Sequence, residues 1–283
     1  MVPHELDASV VIPTLGRPVL AARLSRNLES LHPRPFETIF VFQRREEQLV
    51  FKNSDPSPSA TAVLAPEASL TLARNFGAQH ATGRYLAFLD DDCTPNSEDW
   101  LEALLQPLDD PGIGLVTGSV TGWHNASGSL PGLNRAFLLA PPFLQPVGTP
   151  EATKSAKCHT VCGGNFACTR DNFWAVGGFD TAFGKNSLYE DIELSFRVRN
   201  SLGKTVWYSA EASVLHNQQV QGGVRSERTL KDDEWVLSQK QILLERVYGN
   251  GMSSRLRFLA YRLTRASFSL VRRPAALHSP VDD

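Results

Sequence analysis

The chain has few cysteines for its length. Cys93, Cys158, Cys162 and Cys168 are the whole complement in 283 residues, too few for a disulfide framework. The last three also lack the paired short spacings of a structural zinc site, so they read as reduced thiols in or near a core. No apolar stretch approaches the ~20 residues needed to span a bilayer, and Met1-Val2-Pro3-His4-Glu5 lacks a signal-peptide pattern. Both absences predict a cytoplasmic protein. An excess of either charge is missing as well. With 28 basic and 30 acidic residues, a net charge of −2 and a pI near 6.4, a general nucleic-acid binder is excluded. There is no internal repeat and no low-complexity tract.

What is present is a regular alternation. Ser9–Thr14 reads as a buried strand, and Pro18–Leu31 as a helix with Leu20, Leu24, Leu28 and Leu31 on one face. Strands at Glu37–Phe42 and Thr61–Leu64, a helix at Ser69–Ala81 closed by Gly83, and a strand at Tyr85–Leu89 follow. A helix from Asn96 to Leu108 and a strand at Ile113–Thr117 complete the first ~120 residues, whose βαβ units predict an α/β fold with a mainly parallel central sheet and flanking helices. From Gly118 to Lys157 the pattern dissolves, and a loop of that length is usually functional; Trp123 within it is a candidate platform for stacking a sugar. The second half predicts a strand in Thr160–Thr169 and helices at Arg170–Val176 and Glu190–Leu202. Short strands at Thr205–Ser209 and Ser213–His216 come next, then a C-terminal helical extension, residues 226–283, with helices at Glu227–Tyr248 and Ser253–Val271.

Two acidic clusters stand out against this frame. The strand Tyr85–Leu89 ends in Asp90-Asp91-Asp92, at the carboxyl edge of the sheet where open α/β folds bind ligands. Three adjacent carboxylates repel one another, so an ordered triplet calls for a cation, and Mg²⁺ commonly joins carboxylates to substrate phosphates. The alternative is a solvated turn whose Asp92 caps the following helix. The second cluster, Glu190-Asp191-Ile192-Glu193, opens a helix, where the macrodipole favours carboxylates and Glu193 can pair with Arg197.

The glycine-rich grammar around these clusters carries a resemblance. Val10-Val11-Ile12-Pro13-Thr14, Ala73-Arg74-Asn75-Phe76-Gly77, Phe88-Leu89-Asp90-Asp91-Asp92, Gly163-Gly164-Asn165-Phe166, Gly177-Gly178-Phe179-Asp180, Glu190-Asp191-Ile192-Glu193-Leu194 with Arg197, and His216 occur in one order. Together they resemble the family 2 glycosyltransferases, inverting enzymes of GT-A fold that use nucleotide-diphosphate sugars. The resemblance implies a nucleotide-sugar-binding and catalytic domain over residues 1–225. It gives Asp92 the role of direct ligand to Mn²⁺ or Mg²⁺, with Asp90 and Asp91 at the ribose or the metal's water shell and His216 completing the coordination. Neutral imidazole suits Mn²⁺ better than Mg²⁺. Thr14 would lie against base and ribose, Arg74 beside the nucleotide, and Gly164 and Asn165 against the donor. The family's acidic residue after the second strand is absent, and Gln43 stands there instead.

By the same resemblance Asp191 is the catalytic base, kept ionised by its helix N-terminus, with Glu190 orienting the acceptor. The stretch Asn217–Arg225 has the look of a lid, and its Arg225 would reach the diphosphate. The expected partners are a UDP-, dTDP- or GDP-linked sugar donor and a saccharide, lipid-linked or small-molecule acceptor. Between Met252 and Arg273 lie six arginines and no acidic residue, interleaved with leucines. Such a helix can lie on anionic lipid, placing the protein peripherally at the inner membrane face, or can pack on the core or a second subunit. Two other readings share the sheet. A sugar-nucleotide pyrophosphorylase would want a richer phosphate loop than Leu15-Gly16-Arg17-Pro18, and a non-catalytic nucleotide-sugar-binding protein would not need Asp191.

Overall fold

Strand β1 (Glu5–Thr14) is buried without interruption from Ala8 to Thr14, as expected of a strand covered on both faces. The computed structural model describes residues 5–122, 134–184, 187–217 and 233–271, with side chains to residue 265. Helix α1 (Pro18–Glu29) starts on a proline, which tolerates the first turn, and buries Leu24 and Leu28. Then come β2 (Arg34–Phe42), α2 (Arg45–Lys52), β3 (Ala60–Leu64), α3 (Leu70–His80) and β4 (Tyr85–Leu89). β1 to β4 pair in parallel in the spatial order β3-β2-β1-β4.

Beyond β4 the topology departs from a purely parallel sheet. The next elements are β5 (Cys93–Pro95), α4 (Trp100–Leu105), β6 (Ile113–Thr121), the hairpin β7 (Leu138–Ala140) and β8 (Gln145–Val147), and β9 (Ala156–Cys158). They are followed by β10 (Asn165–Thr169), α5 (Arg170–Ala175), α6 (Glu190–Ser201) and β11 (Thr205–His216). β10 inserts antiparallel between β4 and β6, β11 lies parallel to β6, and β5 and β9 pair antiparallel with β11. The nine-stranded sheet is thus mostly parallel with antiparallel strands on its later half.

Side-chain alternation along the strands makes two layers. Val10, Ile12, Phe40, Phe42 and Leu89 pack with α1, α2 and α4 through Leu24, Leu28, Phe51 and Trp100. Val11, Val41 and Phe88 face α3, α5 and α6 through Ala73, Phe173 and Leu194. On that side Phe88 stacks on Phe166 at 4.7 Å between ring centroids and meets Phe173 and Phe179 edge-on or tilted.

Three expected boundaries shift. The helix expected at Asn96 begins at Trp100, because the Asn96 backbone N–H bonds Ser213 O at 2.9 Å and its side chain reaches Ser213 and Thr121. The two short strands at 205–216 are one strand, β11, with a register shift between Ser209 and Val214. The described part of the segment 118–157 carries the end of β6 and the small strands β7 to β9.

The last helices, α7 (Asp233–Tyr248) and α8 (Met252–Val271), pack on one another. α7 also packs on α6 and the segment before it: Leu243 shares an apolar cluster with Phe183 and Ile192, and Arg246 pairs with Asp180 at 2.6 Å. Among the described residues no helix is long and apolar enough to cross a membrane.

Candidate active site

The carboxyl ends of β1, β2 and β4 place Thr14, Gln43 and Asp90–Asp92 side by side, since Thr14 pairs with Phe42 and Val11 with Phe88 in the ladders. Gln43 Nε2 donates to Thr14 O at 3.4 Å, while Gln43 Oε1 and Thr14 Oγ1 are buried with no protein partner. Buried polar atoms are nearly always satisfied, so two open ones at neighbouring strand ends mark a place that takes a polar ligand.

Arg17, from the loop after β1, bridges two members of the triplet. Its Nη1 lies 2.7 Å from Asp91 Oδ1 and 2.8 Å from Asp92 Oδ2. The loop is held by Glu47 of α2, whose Oε2 accepts from Gly16 N at 2.9 Å, and Gly16 takes the left-handed conformation that favours glycine. Burial, with Asp92 and Asp90 beside it, still pushes the Asp91 carboxyl up to about 8, against the pull of Arg17.

His216 arrives from the far end of β11. It pairs in register with Cys93, and the next residue donates its backbone N–H to Asp92 O at 2.9 Å. His216 Nε2 then sits 3.6 Å from Asp92 Oδ1, and one donor atom each from Asp92, Cys93 and His216 lies within 4.8 Å of the others. Burial raises the Cys93 thiol well above its ordinary pKa, and its soft sulfur is a poor match for a hard cation. Asp92 and His216 remain, an oxygen and nitrogen pair that fits a divalent metal accepting both.

Arg74 of α3 ties this edge to the second acidic cluster. It is 1% exposed, and its Nη2 donates to Asp90 Oδ1 at 3.0 Å and to Gly163 O at 2.9 Å. Its Nη1 donates to Glu190 Oε1 at 2.8 Å. Glycine is required at the crossing. A Cβ on Gly163 would come within 3.0 Å of Arg74 Nη2, and one on Gly164 within 2.8 Å of Asp90 Oδ2. Asp191 completes the rim: its Oδ2 accepts from Gly163 N at 3.2 Å and its Oδ1 from Ile192 N at 2.8 Å. The side chains at Asp90, Arg74, Glu190 and Asp191 are therefore linked through one arginine and one glycine backbone.

Against this geometry, the sequence was compared with known proteins. The model of the glycosyl transferase family 2 matches residues 9–177. The chain belongs to that family.

Among its relatives, the succinoglycan biosynthesis protein ExoM of Rhizobium meliloti is 31% identical over 134 residues, 42% of this chain and 40% of that protein. A glucosyl-dolichyl phosphate glucuronosyltransferase of Haloferax volcanii is 26% identical over 193 residues, 64% of this chain and 59% of its own length. The family 2 chain thus spans less than two thirds of either relative. A solved structure of the mannosyltransferase PcManGT from Pyrobaculum calidifontis, with GDP-Man and Mn²⁺, superposes with a TM-score of 0.55 at 18% identity, covering 94% of this chain and 81% of that one. That likeness shows the fold, GT-A, as expected from the sequence.

Several residues of this family 2 chain sit differently from the expectation. Asn165, expected against the donor, turns its side chain inward. It is fully buried, its Oδ1 accepts from Trp100 Nε1 at 3.1 Å, and its Nδ2 donates to Ser119 O and Ala212 O at 3.0 and 2.9 Å, so its amide is spent inside the core. Arg74, expected beside the nucleotide, has its guanidinium engaged by two carboxylates and a carbonyl. The helix N-terminus does not keep Asp191 strongly acidic; burial and the neighbouring Glu190 carboxylate push it up to about 7, outweighing Arg74 and the two N–H donors. Trp123, Arg225 and the lid stretch beyond Asn217 lie outside the described residues. Arg17 drew notice in the sequence only as a sparse phosphate loop, and no periodicity announces its partners.

Proposed function

We propose that the chain is an inverting, divalent-metal-dependent glycosyltransferase that moves a sugar from a UDP-, dTDP- or GDP-linked donor to an acceptor hydroxyl. What supports this reading above all is the Arg74 and Gly163 link, which draws Asp90 and Asp191 to one site from positions about a hundred residues apart. Asp191 is the base. Its carboxylate takes the proton of the acceptor hydroxyl while that oxygen attacks the anomeric carbon. The bond from that carbon to the diphosphate oxygen breaks on the opposite face, and its electron pair leaves with the diphosphate. A positioned base contributes roughly 10²–10⁴-fold, and alignment of donor and acceptor supplies much of the rest. A carboxylate whose pKa lies near 7 is well matched to this task, because it is both ionised and basic near neutral pH.

Asp92 and His216, with Asp90 alongside, are the residues to hold Mn²⁺ or Mg²⁺, whose charge would offset that growing on the departing diphosphate. Thr14 Oγ1 and Gln43 Oε1 are the open groups for ribose and base. Glu190, fixed by Arg74, orients the acceptor. The test is a thermal-shift screen of UDP-, GDP- and dTDP-sugars with and without Mn²⁺, since a ligand of the native state raises its apparent stability, followed by the anomeric configuration of the product. A stabilising donor that needs Mn²⁺ and an inverted product are expected; retention of configuration would sink the mechanism.

A lipid-linked acceptor is the class that α8 favours. Met252, Leu256, Leu259 and Leu263 are 68%, 58%, 53% and 62% exposed and lie at helical spacing on one stripe. Arg255, Arg257, Arg262 and Arg265 interleave with them, and the helix has no acidic residue, while the rest of the chain carries an acidic excess. An apolar stripe edged by arginines complements an anionic lipid surface. The Haloferax relative is itself named for a dolichyl phosphate substrate. Vesicle flotation checks the point: the intact chain should rise with phosphatidylglycerol vesicles and not with phosphatidylcholine ones, and Leu256→Glu with Leu259→Glu should abolish it. Equal flotation of the double variant would exclude α8 as the contact.

A further inference from the structure

The first turn of α6 needs outside support. Tyr189, the residue before Glu190, takes a left-handed conformation at φ 75°, sparsely populated for a residue other than glycine. It provides no side-chain cap for the helix it opens. Such a conformation persists only where the surroundings over-determine it.

Those surroundings come from α7 and α8. Gln239 Oε1 accepts from Leu188 N at 3.1 Å. Lys240, 0% exposed, lays its Nζ over the Tyr189 ring at 3.9 Å from the centroid and over Tyr261 of α8 at 5.2 Å. The same ammonium donates to Phe143 O at 3.0 Å. Among the described residues no carboxylate pairs with Lys240. An amine buried without a counter-charge costs stability, and a long apolar side chain would fill the same slot without that cost. Its retention here calls for another reason.

We infer that Lys240 is a positioning residue for glycosyl transfer, clamping Tyr189 so that the following Glu190 and Asp191 stand at the angle the acceptor hydroxyl requires. The inference rests on the reading of Asp191 as base. A cation over an aromatic face is a directional contact, and a side chain held on one ring fixes the backbone on either side of it. Gln239 secures the preceding peptide, so two adjacent residues of α7 hold two adjacent residues ahead of the base.

The experiment uses the full chain, Mn²⁺ and the nucleotide sugar that stabilises it most in the thermal-shift screen. Lys240→Met is compared with wild type and with Asp191→Asn for melting temperature, donor Kd and the kcat of nucleoside diphosphate release. Lys240→Met should melt at or above the wild-type temperature and bind donor within about twofold, with kcat lowered by about tenfold or more, since a displacement near 1 Å at a reacting group can cost that much. A folded Lys240→Met protein with kcat within about twofold of wild type would overturn the inference. So would failure to fold, or a loss of donor affinity in step with kcat, because either would make the amine a general structural support. Normal turnover of Asp191→Asn would instead strike the underlying assignment of the base, so the two failures are distinguishable.

Discussion

The two acidic rims of the site are placed by different means. Asp90–Asp92 stand where β4 stops, and their position follows from parallel pairing of β4 with β1 and antiparallel pairing with β10. Glu190 and Asp191 have no ladder to hold them. They are fixed by an arginine 116 residues away from Glu190 in sequence, by the Gly163 backbone and by the buttress of α7. The rim proposed to hold the metal is thus a product of sheet formation, and the rim proposed to carry the base a product of tertiary side-chain contacts. Backbone ladders tolerate substitution of the side chains they carry; a rim built from side chains does not.

Breaking the base rim at its reacting group should have the largest effect. Asp191→Asn keeps the shape and one of the two N–H contacts, so donor binding should persist while transfer falls by roughly 10²–10⁴-fold; near-normal turnover in a steady-state assay would remove Asp191 from the role. Cutting the link between the rims comes next. Arg74→Met removes the shared cation of Asp90 and Glu190, leaves the buried Glu190 carboxylate unpaired and should destabilise the fold by about 3–5 kcal/mol, read as a lower denaturation midpoint in urea. An unchanged midpoint would mean that the two rims are held independently. The pH profile separates them further. With Asp191 raised to about 7, protonation on the acid side removes the base, so kcat/KM should fall about tenfold per unit below that pH and level off above it. A profile flat down to about pH 5 would contradict the shift.

On the metal rim, Asp92→Ala should abolish the extra stabilisation that Mn²⁺ gives to donor binding, and its survival would place the cation elsewhere. The smallest effect belongs to the Arg246 and Asp180 pair between α7 and the segment before α6. Arg246 is largely exposed, so Arg246→Ala should cost no more than about 1 kcal/mol, and a larger loss would show α7 to be held by that pair more than by Leu243.

The same contrast explains what could be read from the sequence. Apolar runs and their spacing disclose β1, β2, β4 and α1, because periodicity is a local property. The strand-end aspartates are visible for the same reason, and Gly163-Gly164 because close backbone approach demands glycine. Arg74 is marked by its motif, but that it joins Asp90 to Glu190, 116 residues away, is not; Arg17 is a single cation whose partner Asp91 lies 74 residues on, and nothing nearby in the sequence announces the pairing. The antiparallel insertion of β10 is hidden too, since a short buried strand looks alike in either direction. Asn165 misled because its side chain serves the core, where Trp100 and two carbonyls claim it. Lys240 gave no signal: an amine inside a helix reads as surface until its neighbours are known.

Arg17 carries a consequence for the order of assembly. Its guanidinium already bridges Asp91 and Asp92, so part of the repulsion within the triplet is offset without an ion. Chelation should therefore silence the protein without unmaking it, and reloading should restore it in the time an ion takes to diffuse and shed water rather than the time a chain takes to refold.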